Sequence, residues 1–203
     1  MDAGSLAMPR RIVSPPPALA APPVSNTRLA MVVVIAGESM LFAGLIGMFL
    51  VFRLSRPWPP ADLPRLPLGM TFLNTLVLFA SALPMSRALG AVRRDDRPTL
   101  VRMLGLTALL GTTFLSVQGL EWVRLVRHGL TLGSSMYGAT FYVLIGCHGV
   151  HLLIAVLWLA VTAILAARGF FRAARHAALE MCAIYWYFVC ALWVVLFPLV
   201  YLY

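Results

Sequence analysis

"MYGATFYVLIGCHGVHLLIAVLWLAVTAILAA", from Met136 to Ala167, decides the fold. No Asp, Glu, Lys or Arg interrupts it. A helix needs roughly 20 apolar residues to cross a hydrocarbon core about 30 Å thick. This run is longer, so as a helix it tilts or extends past the bilayer. With no water at that depth, backbone N–H and C=O groups are satisfied only within a helix. Two ionisable side chains nevertheless sit inside the run, His148 and His151, three residues apart. Ionisable groups are costly in lipid, and those present usually face a bundle interior and have a task there.

Four further apolar segments cover about 29–52, 69–90, 100–123 and 177–202, each long enough to span. Hydrophobic residues make up 61% of the chain and charged residues only 11%, against about a quarter in soluble domains. The expectation is an all-α, polytopic membrane protein, with a five-transmembrane-helix bundle over 28–203. Residues 1–27 carry six prolines, no aromatic residue and no run suited to a signal peptide, which predicts a disordered cytoplasmic tail. The first connection, "RLSRPWPPADLPRLP", holds five prolines in fifteen residues and reads as a stiff, non-helical loop.

The surplus of 16 basic residues over 7 acids gives +9, and every basic residue is arginine. The arginines lie between the apolar runs and mark membrane borders, and no basic and aromatic surface separates from the spans. That argues against a nucleic-acid partner. Eleven of them (Arg10, Arg11, Arg28, Arg87, Arg93, Arg94, Arg97, Arg102, Arg168, Arg172 and Arg175) fall in or beside the N-terminal region and the second and fourth connections. Five (Arg53, Arg56, Arg65, Arg124 and Arg127) fall on the other side, which predicts a cytoplasmic N-terminus and an outside C-terminus. Cys147, Cys182 and Cys190 have no zinc or disulfide spacing and read as packing residues.

The intramembrane polar set comprises Glu38 in "AGESMLFAG", Asn74, Gln118, Glu121, His148 and His151, with Glu180 opening the last span. Counting along each helix places Glu38 and His148 at similar depth. Three readings are open. A metal site would use the i, i+3 histidines with a carboxylate, but a di-iron site wants paired Glu-x-x-His motifs that the chain lacks. One i, i+3 pair also cannot ligate haem from both faces. A proton relay would use Glu38 with a histidine. A polar clamp would use the same groups to fix helix packing, aided by Gly37, Gly44, Gly47, Gly146 and Gly149.

Read in order, "GESMLFAGL", "WPP", "FLNTLVLFAS", "FLSVQGLEW", "YGATFYVLIGCHGVHLLIA" and "ALEMCAIYWYFVCALWVVLFPLVYL" resemble subunit III of the haem–copper oxidases. The resemblance covers about 29–203, and the five-helix count is similar to the family's short bacterial form. It implies a bacterial cytoplasmic (inner) membrane protein in a respiratory terminal oxidase, where oxygen reduction is coupled to proton pumping. Subunit III in this family carries no catalytic centre, haem or copper; those cofactors belong to partner subunits. It packs on catalytic subunit I beside subunit II, binds phospholipid, supports proton uptake and can enter a respiratory supercomplex. The six histidines of the family's haem–copper centre exceed the four in this chain.

Glu38 matches the family's carbodiimide-reactive carboxylate, His148 and His151 its "HGxH" pair, and Gln118 with Glu121 its "QxxE". Glu180 matches the acid opening the last helix, and Arg168 and Arg172 fall where the family places basic residues near lipid phosphates. The last helix departs from the family's "YWHFVD": Tyr187 and Cys190 stand at its His and Asp positions, so a polar pair is lost together and no buried orphan remains. An accessory subunit of bacterial nitric oxide reductase is the alternative within the family. A free-standing proton or solute transporter is the alternative from another class.

Overall fold

The computed structural model describes residues 26–55 and 68–202. The proline-rich tail through residue 25 and most of the first connection lie outside the described residues. Helix α1 runs Asn26–Leu54, α2 Leu68–Ala80, α3 Ala82–Arg93, α4 Arg97–Arg127, α5 Met136–Ala167 and α6 Ala177–Phe197, followed by a wider turn, Pro198–Leu202. With α2 and α3 as one bent span, five helical segments among the described residues are long and apolar enough to cross a membrane. The fourth and fifth spans run over the residues read from sequence, the fifth as α6 with the turn after it, while the first three extend that reading by a few residues at one or both ends.

The bend in the second span has a local cause. Pro84 lacks an N–H and cannot continue the helical ladder back to Ala80, so the helix restarts at Ala82. Ser81 sits at the break, and its hydroxyl donates to the Leu78 carbonyl at 2.5 Å. Opposite the break, the Trp186 indole N–H donates to that same hydroxyl at 3.1 Å, joining α6 to the bend.

Short connections align α3, α4, α5 and α6. Asp96 caps α4 by accepting from the Thr99 N–H at 3.1 Å, with Pro98 in the first turn. Hydrogen bonding from the Thr99 side chain, then its N–H, holds the Asp96 carboxyl below its ordinary range. Gly169 closes α5 in the left-handed region, φ +78°, while the Phe170 N–H reaches back to Leu165 O at 3.0 Å. The Arg97 guanidinium donates to the freed Ala167 carbonyl at the same helix end.

Helix α4 packs on α2, α3 and α5, while α6 packs on α1, α3 and α5. Trp186 and Trp193 of α6 are fully buried and centre the core. Gly111 of α4 makes room for Trp186: a methyl group there would collide with the indole ring. Helix α1 is different. It leans on α5 and α6 and buries only Met31, Phe42 and Phe49.

Candidate functional site

The two histidines of α5 part company. His151 turns to α1, where its Nε2 meets Oε2 of Glu38, while its Nδ1 lies 2.7 Å from the Cys147 carbonyl oxygen. A carbonyl only accepts, so Nδ1 carries a proton. A neutral His151 then presents a bare Nε2, and Glu38 must supply the proton between them. If Glu38 is ionised instead, His151 is the cation. The contact lies midway along α1 and α5. Neither side chain is sealed: 23% of the Glu38 side chain and 12% of the His151 side chain are exposed.

His148 faces another way. Its ring stacks on Trp193, centroids 4.9 Å apart and planes 25° apart, and it is 1% exposed. Neither ring nitrogen has a hydrogen-bond partner. Phe42 wedges edge-on against both imidazoles, 5.1 Å from His151 and 6.5 Å from His148. Sequence analysis put Glu38 and His148 at similar depth without choosing between the two histidines; the one that meets Glu38 is His151, one turn further along α5. Among the described residues no three His, Cys, Asp or Glu side chains converge to hold a metal ion.

A second cluster ties three helix ends together. Thr71 of α2 donates to Glu121 of α4 at 3.1 Å and 3.3 Å from its two oxygens. Gln118 Nε2 donates to Glu121 Oε2 at 3.3 Å and to the Tyr201 hydroxyl at 3.2 Å. Gln118 and Glu121 are each only 3% exposed, so neutral partners hold a buried carboxyl. One turn deeper, Asn74 Nδ2 donates to the Phe114 carbonyl at 2.9 Å, and Trp193 Nε1 to Thr75 Oγ1 at 2.9 Å. Sequence analysis identified Asn74, Gln118 and Glu121 but missed Thr71, Thr75 and Tyr201. Threonines and tyrosines are too common in apolar helices to stand out by composition.

The third cluster sits at the arginine-rich end. Glu180 pairs with Arg28 at 2.8 Å, His176 at 3.2 Å and Arg93 at 3.4 Å, linking the starts of α1 and α6 to the end of α3. Beside it lies a cavity of about 450 Å³, whose lining includes Arg28, Arg175, His176, Glu180 and Phe170. Arg168 and Arg172 are exposed and do not line it. Arg175 does, with its guanidinium 4.0 Å over the Phe170 ring. In the last span Cys190 is buried, and the Tyr187 hydroxyl lies 3.5 Å from the Ala82 carbonyl. The three cysteines are all free.

Comparison with known proteins fits this arrangement. Residues 21–203 match the family model described as cytochrome c oxidase subunit III. A cytochrome c oxidase subunit 3 of Synechocystis sp. is 35% identical over 179 residues, covering 85% of this chain and 73% of the relative. That of Thermostichus vulcanus is 32% identical over 177 residues, covering 86% of each. That of Pelomedusa subrufa is 32% identical, covering 87% of this chain and 69% of the relative.

Proposed function

This chain belongs to the cytochrome c oxidase subunit III family and is a multi-pass membrane subunit of a haem–copper oxidase; from that premise we propose that its part in the complex is non-catalytic. It braces subunits I and II, which carry haem and copper, supports proton uptake and holds phospholipid.

The carrying observation is how the interior polar groups are used. Asn74, Thr75, Ser81, Gln118 and Glu121 each bond across or between helices. His151 is engaged on both nitrogens. Side chains committed this way fix packing. The exception with chemistry to offer is the Glu38–His151 contact, partly open on the sparsely buried helix α1, where a shared proton can be handed on to a neighbouring subunit. The cavity beside Glu180 offers guanidinium groups at a membrane border, a geometry suited to a phospholipid phosphate, with Arg28 and Arg175 in place of Arg168 and Arg172. The arginine distribution supports a cytoplasmic N-terminus in a bacterial inner membrane.

The test is a gentle-detergent pull-down of the tagged chain from native membranes, with a reduced-minus-oxidised spectrum and activity of the eluate. Haem bands with oxygen uptake are the expected result. Haem bands with nitric oxide consumption would move the chain to a reductase complex. A colourless, partnerless chain would defeat the reading.

A further inference from the structure

One wall of the arginine-rich cavity is not helix. Phe170, Phe171, Ala174 and Arg175 belong to the connection between α5 and α6, and Arg28 and Glu180 complete the lining from α1 and α6. Connections move more than helices unless something outside them holds them. The tip of this one closes on itself: the Arg172 N–H donates to the Arg175 carbonyl at 3.3 Å, and the Arg175 N–H to the Arg172 carbonyl at 2.8 Å. The Ala173 N–H, between them in sequence, donates instead to Oδ1 of Asp95 at 2.7 Å. Asp95 lies in the turn from α3 to α4. Two residues on, Arg97 grips the other end of the connection, where its guanidinium donates to the Ala167 carbonyl and lies 3.3 Å from where a Cβ on Gly169 would stand.

Aspartate is not the residue that local backbone geometry favours here. Helix α3 closes with the Asp96 N–H on the Ala91 carbonyl at 3.0 Å and the Asp95 N–H on the Val92 carbonyl at 3.1 Å. A helix end closed this way puts one residue in the left-handed region, and glycine fills that place with least strain. Asp95 fills it, with φ +54°. The carboxylate is what aspartate adds over glycine, and Ala173 engages it. That bond fixes the backbone two residues before Arg175, whose guanidinium lines the cavity and lies 4.0 Å over the Phe170 ring.

We propose that Asp95 is a positioning residue for the cavity: through Ala173 it holds the α5–α6 connection in the conformation that presents Arg175, with Arg28, to a phospholipid phosphate. The inference rests on the phosphate reading given above. A hydrogen bond to a charged acceptor shifts the closed-to-open ratio of the connection by about tenfold or more. By linkage, a phosphate that favours the closed connection also holds the latch shut. Charge alone predicts the opposite sign, because removing a carboxylate beside a phosphate site should tighten binding.

The test uses the native complex in detergent with dihexanoyl phosphatidylglycerol as the probe. Amide exchange over residues 168–176 and lipid adducts are both followed by mass spectrometry, and binding at the cavity is the part that Arg175→Gln removes. Asp95→Gly deletes the acceptor and suits the left-handed turn. Asp95→Asn deletes the same charge but keeps an acceptor oxygen and tolerates that turn. The probe is expected to slow exchange in the unaltered complex and in Asp95→Asn. In Asp95→Gly, exchange without probe should be about tenfold faster, and the probe should bind about threefold more weakly or worse. Equal binding by Asp95→Gly and the unaltered complex would overturn the inference and leave the phosphate reading standing. Tighter binding by both Asp95 variants would show charge acting alone and overturn it as well. A probe that does not bind the unaltered complex, or whose binding Arg175→Gln leaves untouched, would defeat the phosphate reading itself and this inference with it.

Discussion

Gly111→Ala isolates the contact on which the core is built. A Cβ at this position falls on the Trp186 ring, with Val156 Cγ2 behind it at 3.2 Å. Trp186 is fully buried and cannot swing away without giving up its bond to Ser81 at 3.1 Å. Overpacking costs about 1–3 kcal/mol, and the lost indole bond adds about 1 kcal/mol. Alanine returns about 0.5–1 kcal/mol through its better helix propensity. The net loss is about 2 kcal/mol, more than a tenfold change in the folded-to-unfolded ratio. Gly105→Ala is the control on the same helix: nothing lies within 4 Å of its added Cβ. It should leave stability within about 1 kcal/mol of the parent. Reversible unfolding of the full chain in mild detergent titrated with dodecyl sulfate, followed by tryptophan fluorescence and helicity, reads both. Gly111→Ala unfolding at the same detergent fraction as Gly105→Ala would refute the reasoning. Shrinking the partner with Trp186→Phe should couple favourably with Gly111→Ala, a signature that propensity alone cannot produce.

Other perturbations separate the three polar clusters. Glu38→Gln should leave the haem spectrum of the complex unchanged while reducing proton uptake or operating lifetime, measured by turnover in proteoliposomes; loss of haem from an assembled complex would contradict this. Trp193→Phe removes the bond to Thr75 and should cost about 1 kcal/mol in the same unfolding assay. Glu180→Ala should cost no more than about 1 kcal/mol, because its arginine partners are 58% and 62% exposed; most of that difference should vanish in high salt. Asp96 sets an acid limb. Its folded-state carboxyl is held below its unfolded value, so the cap's contribution is present above about pH 4 and is lost as pH falls through the folded value. Asp96→Ala should flatten stability against pH in that acid range, which an unfolding series from pH 2 to 6 would show.

Individual helices were legible in the sequence because lipid leaves an apolar segment one form, and the fourth span was bounded to the residue. The break at Ser81 was not anticipated, although Pro84 was visible in "ASALPMS". A proline near the middle of an apolar run does not say whether the helix bends or merely tolerates it. Pairings between helices were less legible still. Depth counting brought Glu38 to the level of the histidines but could not choose between two side chains one turn apart. That choice depends on the rotation of α1 about its own axis, which is set by Phe42 wedging between the imidazoles. Glu180 was marked by its charge and His176 stands one turn before it, yet Arg28 and Arg93 come from separate segments that only the assembled bundle brings to it.

Helix α1 shows why those polar contacts matter more than their number suggests. Inside a bilayer, lipid tails are as apolar as leucine, so burying Met31, Phe42 and Phe49 gives no water-driven gain of the kind that holds a soluble helix in place. Much of its surface, including Val32, Val33, Met40, Leu41 and Val51, stays exposed in the isolated chain. Polar contacts therefore help to fix its position on the bundle, among them Arg28 with Glu180 at one end and Glu38 with His151 along its length. Removing Glu38 should loosen this helix, the least buried of the five spans. A proton-carrying role and a positioning role for Glu38 lead to different outcomes, and a measurement separates them. His151→Gln keeps an amide within reach of Glu38 but removes the titratable partner. If α1 positioning is what matters, assembly and lifetime survive that change; if proton sharing matters, the pH profile of uptake shifts while assembly stays intact.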